Sequence, residues 1–118
     1  MNIKVKRFVN RPVDSNCFVL FQDGHSNCIV IDPGTSDCRE LIRFFNMQQL
    51  RPEYIILTHE HFDHIWGVNP LVVTFACKII CSIACAEKIV DRKGNMSVFY
   101  DQVGFQSGPA DILIEGLN

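Results

Sequence analysis

No charge of one sign dominates this sequence. Its 11 Lys and Arg stand against 13 Asp and Glu, for a net charge of −2, and no run of Lys or Arg exceeds two residues. A broad basic surface, the footprint of sequence-independent nucleic-acid binding, is therefore not expected. The 6 cysteines include no Cys-x-x-Cys pair, so the zinc-ribbon and thioredoxin-type patterns are excluded. A secretory leader is also missing: Met1-Asn2-Ile3-Lys4-Val5-Lys6 alternates charge with apolar residues and builds no apolar h-region. The cysteines are accordingly read as reduced thiols of a cytoplasmic protein. Internal repeats, low-complexity tracts and linkers are absent, and 118 residues make a single domain. What remains is globular composition, 47% hydrophobic and 20% charged.

The stretch from Ile65 to Ala86 is long and apolar enough to raise the question of a membrane span. Asn69-Pro70 and Lys78 interrupt it, and it is rich in β-branched residues, so it reads as soluble core with no membrane partner. Within it Cys77, Cys81 and Cys85 are spaced by four, which would align them on a helix and invites a metal reading. Their company, Ala76, Ile79, Ile80, Ile83 and Ala84, favours small buried hydrophobes instead.

Residues 3–9 alternate as a strand with one charged face. Cys17–Phe21 and Cys28–Ile31 are apolar runs of strand length separated by Asp23-Gly24, which predicts a hairpin. The period then becomes helical at Leu41, Ile42, Phe44, Phe45 and Gln48. Asp37 followed by Glu40 predicts its N-terminal cap, and Arg51-Pro52 its end. Tyr54–Leu57 and Lys78–Ser82 read as buried strands, Ala84–Asp91 as a short helix and Lys93-Gly94-Asn95 as a turn. Ile112–Ile114 begins a last strand, while 96–107 carries no clear period. The alternation predicts an α/β fold.

Three of the four histidines fall within six residues, in Thr58-His59-Glu60-His61-Phe62-Asp63-His64. In extended backbone His59 and His61 share a side, so both imidazoles can reach one cation. Asp63 and His64 follow where the chain turns and aim at a neighbouring point. Imidazole with carboxylate suits zinc, with iron or manganese as competitors. Burying three histidines beside an aspartate without partners would cost several kcal/mol, roughly, which a metal would offset. The fourth histidine, His25, lies in the predicted hairpin loop and is expected to be solvated.

His59-x-His61-x-Asp63-His64 at the end of an apolar strand resembles the H-x-H-x-D-H motif of the metallo-β-lactamase-fold hydrolases. Asn16-Cys17-Phe18 and Ile31-Asp32-Pro33-Gly34 look like the opening strands of the branch that includes glyoxalase II. Asn95-Met96-Ser97 and Asp111–Gly116 resemble later elements of that branch. The resemblance covers nearly all of residues 1–118 but only the N-terminal half of an αββα sandwich, a mixed sheet with helices on one face. It implies two metals, the first on His59 and His61 and the second on Asp63 and His64. Each would be short of a histidine, and a bridging carboxylate would be lacking. Asp32 would support the ligands or simply form a strand-end turn.

The implied activity is metal-dependent hydrolysis of a small ester or thioester, with the two metals lowering the pKa of a water and Asp63 as the catalytic carboxylate. Its partner would be a small-molecule substrate. An inactive, truncated or metal-binding fragment that self-associates through its open sheet face, or awaits a C-terminal half, is the alternative. A nuclease resembling ribonuclease Z is a second alternative, weakened by the charge balance.

Overall fold

Three strands open the chain as an antiparallel meander: β1 (Ile3–Val9), β2 (Asn16–Gln22) and β3 (Asn27–Ile31). A computed structural model describes residues 2–115. The β2–β3 hairpin turns at Gly24, whose φ of 79° is left-handed and open to glycine without steric cost. From β3 onward the pairing becomes parallel. Helix α1 (Arg39–Gln48) returns the chain to β4 (Arg51–Ile56), and α2 (Phe62–Ile65) with α3 (Val68–Phe75) leads to β5 (Lys78–Ser82). Helices α4 (Ile83–Ile89) and α5 (Ser97–Asp101) precede β6 (Ile112–Ile114). The sheet order is β1-β2-β3-β4-β5-β6. This is the mixed α/β fold expected, and no helix among the described residues is long and apolar enough to cross a membrane.

Strand alternation gives the sheet two unlike faces. Cys17, Val19, Val30, Ile55, Ile79 and Cys81 lie on one face and are buried in a core shared with Leu41 and Phe45 of α1, Leu71 of α3 and Ile89 of α4. Phe44 of α1 meets Phe8 and Phe21 edge-on, with ring centroids 5.5 Å apart in each pair. Phe45 reaches Phe75 of α3 at 5.6 Å. Each such side chain taken from water contributes about 1.5–3 kcal/mol. On the other face, Phe18, Ile31, Ile56, Ile80 and Ile112 stand side by side across five strands. None of them is fully buried, and Ile112, with Ile3 and Val5 of β1, is exposed.

All six cysteines are free and buried. Cys77 precedes β5, Cys81 lies within it and Cys85 sits in α4, so the four-residue spacing never becomes one helical stripe. Burial pushes every thiol pKa up, to about 12 at Cys28 and at Cys38. The reading of these residues as small hydrophobes fits.

Several local expectations need correction. The cap of α1 is Cys38, in left-handed conformation with no side-chain cap bond; Asp37 instead accepts the N–H of Arg39 at 3.1 Å. The helix ends at Gln49, also left-handed, and Arg51-Pro52 already belongs to β4. Pro52 is tolerated because the β3–β4 register shifts at this point: Cys28 pairs with Pro52 but Ile29 with Tyr54, a bulge that needs no proline N–H. Pro70 does not break α3. It occupies the first turn, where N–H groups have no acceptor within the helix. The uncertain stretch 96–107 contains α5. Gly116, in the expected last strand segment, lies outside the described residues.

Candidate metal centre

Strand β4 stops at Ile56, and residues 57–61 leave the sheet as loop before α2 begins. His59 and His61 lie in this loop, His61 with extended backbone. The His59 ring centroid lies 5.0 Å from that of His61 and, across the start of α2, 3.9 Å from that of His64. Asp63 Oδ2 comes within 3.5 Å of His64 Nε2. All four residues expected from the sequence thus converge on one end of the sheet, with His61 the exposed member. His25 is exposed in the β2–β3 hairpin, at the opposite end of β3.

Asp32 closes the arrangement from below. It follows β3 with a left-handed φ of 55°, and its buried carboxylate accepts the backbone N–H of Thr58 at 2.8 Å and the Thr58 hydroxyl. His64 Nδ1 lies 2.9 Å from the same carboxylate. An ionised carboxylate only accepts, so in the neutral ring the His64 proton sits on Nδ1, which leaves the lone pair on Nε2. Ligand atoms of Asp32, His59 and His64 lie within 4.8 Å of one another. The hydrogen bond to Asp32 raises the His64 pKa against the opposing effect of burial. Burial, then the neighbouring His64, lowers that of His59.

The loop is anchored on both flanks. Glu60 turns away from the imidazoles to Lys88 of α4, at 3.1 Å. Phe62 packs against Tyr100 of α5, with centroids 4.9 Å apart, and Trp66 stacks on Phe105 at 5.6 Å. The Phe62 N–H donates to the Asn95 carbonyl at 2.9 Å. Two further polar side chains, Asn10 and Ser15, bond the backbone of Asp63. In the sequence they are indistinguishable from ordinary turn residues beside Arg11-Pro12, so no pattern could have singled them out.

Imidazoles and carboxylates gathered at donor spacing, one imidazole backed by a buried carboxylate, form a set that fits a divalent cation. Comparison with known proteins agrees. This chain is 38% identical over 83 residues to a hydroxyacylglutathione hydrolase of Psychromonas ingrahamii, a match covering 70% of this chain and 31% of that enzyme. The crystal structure of BLEG-1 B3 metallo-beta-lactamase superposes with a TM-score of 0.87 at 30% identity, covering 96% of this chain and 54% of that one. TTHA1623, crystallised in a di-iron-bound form, shares the fold with a TM-score of 0.75 at 23% identity, over 96% of this chain and 56% of its own. The chain thus spans about half the length of these two structural relatives. A family match that runs from Asn10 to residue 116, and so takes in the whole histidine loop, makes this chain a member of the Metallo-beta-lactamase superfamily.

Proposed function

We propose that this chain carries the metal-binding part of a hydrolase acting on a small ester or thioester. The observation that carries the reading is the convergence of His59, His61, Asp63 and His64 at the end of β4, with Asp32 behind His64. His59 and His61 would hold one ion and Asp63 with His64 a second, zinc being the best match to these donors and iron or manganese the competitors. Bound there, a divalent ion supplies Lewis acidity and lowers the pKa of a water. Asp32 serves as support: its carboxylate already accepts three donors, and it fixes which His64 nitrogen faces the site. Asp63, half-buried beside His64, is the carboxylate in position to take up a proton.

The thioester preference draws on the likeness to the hydroxyacylglutathione hydrolase. Two donors per ion are fewer than the four that zinc takes. A complete centre therefore calls for donors from further chain or from a second copy. Metal content by plasma mass spectrometry tests the reading, with a His59→Ala/His61→Ala variant beside the parent. Metal uptake by the parent, lost in the variant, is expected, and two ions per chain would mean that a second copy completes the centre. A parent chain that stays metal-free after incubation with excess zinc, iron or manganese would overturn it.

A further inference from the structure

The side chain of Asn10 is buried, 2% exposed, where three segments meet. Its Nδ2 donates to Ser15 Oγ at 2.9 Å and to the Asp32 carbonyl at 3.0 Å, with a longer 3.4 Å contact to the Asp63 carbonyl. Its Oδ1 accepts the N–H of Gly34 at 2.9 Å. Ser15 completes the arrangement by donating its hydroxyl to the same Asp63 carbonyl at 2.7 Å. The turn after Asp32 and the loop are pressed together so closely that a Cβ on Gly34 would fall 1.7 Å from the Asp63 carbonyl oxygen.

One amide thus ties the backbones of Asp32 and Asp63, 31 positions apart in the sequence. Their carboxylates flank His64 on opposite sides, Asp32 at Nδ1 and Asp63 at Nε2. Asp32 and Asp63 sit on separate segments, and a shift of either backbone would move its carboxylate off the ring. A residue that merely closed the β1–β2 connection would need only its bond to Ser15. Asn10 also uses its remaining donor and its acceptor on the two aspartate segments.

We propose that Asn10 is a positioning residue for the metal loop: its buried amide, with Ser15, sets the spacing of the Asp32 and Asp63 backbones and so holds His64 in a single orientation and tautomer. The proposal depends on the metal reading only for its effect on affinity. The test takes the whole chain with Asn10→Ala and the milder Ser15→Ala, each checked for folding by far-ultraviolet circular dichroism. In the metal-free chain at mildly alkaline pH, long-range nitrogen–proton NMR correlations report the His64 tautomer. The parent is expected to show the proton on Nδ1 alone, and Asn10→Ala a mixture of both tautomers, with Ser15→Ala between them.

Cobalt(II) titration, followed through its visible bands, is expected to weaken by about 10–100-fold in Asn10→Ala, the range for loss of a group supporting a ligand. A folded Asn10→Ala with the parent's single tautomer would overturn the proposal. If Asn10→Ala fails to fold, Ser15→Ala decides alone, and an unchanged tautomer there overturns it equally. A parent that takes up no cobalt counts against the metal reading, while the tautomer result still decides the role of Asn10.

Discussion

Ile55 and Ile56 are neighbours on β4, yet they live in different surroundings. Ile55 is fully buried among Val30, Ile79 and the helices, whereas Ile56 is half-buried in the open row of Phe18, Ile31 and Ile80. Both faces are apolar, so hydrophobicity does not separate them. What separates them is cover: α1, α3 and α4 contribute Leu41, Phe45, Leu71 and Ile89 to the core on one side. The lesson is that the same side-chain chemistry supports stability on one face and creates a liability on the other.

The largest expected effect lies on the covered face and is read by pH. Each buried thiol has a folded pKa above its unfolded value of about 8.5, reaching about 12 at Cys28 and at Cys38. Above the unfolded value the unfolded chain releases protons that the folded chain keeps. Stability is therefore full below that value and falls as pH rises toward the folded one, by about 1.4 kcal/mol per pH unit for each thiol. Thermal melts of the reduced chain are expected to collapse above about pH 9. A melting temperature that held steady a full unit higher would break the contrast between the faces.

A smaller effect separates the two isoleucines directly. Ile55→Ala should cost about 2–5 kcal/mol, while Ile56→Ala should cost about 1 kcal/mol or less. Urea unfolding of the pair measures the difference, and equal costs would mean that the second face is covered as well. The smallest change in stability, with the clearest change in behaviour, is expected from Ile31→Lys. The parent should bind a hydrophobic dye and elute above its monomer size, and the lysine variant should do less of both. A parent that elutes as a monomer and binds no dye would show the open face to be harmless.

Much of this arrangement was legible because strand pattern and metal donors are written locally. β1, β2, β3 and β5 follow from alternation and apolar runs, and the histidine cluster announces itself within six residues. The misplaced features depend on distant partners. Pro52 fits β4 because β4 carries an extra residue, Glu53, where it pairs with β3, and the α1 cap falls on Cys38, whose Sγ lies 3.3 Å from both the Thr35 and the Gly67 carbonyls. Asp32 could be either a turn residue or a support from its sequence alone, and its carboxylate gains a purpose only when Thr58 and His64 arrive beside it. Asn10 carried no signal at all, since its partners are 5 to 53 positions away.

The strand order has a consequence for synthesis. Position in space repeats position in sequence, from β1 to β6 without a swap. Each strand emerging from a ribosome therefore finds its docking edge already made by the strand before it. Among the described residues no strand has to wait for a later one to be inserted between itself and its neighbour. From β1 to β6 each newest strand docks on the one before it, so that across these strands the direction of translation becomes the direction of assembly.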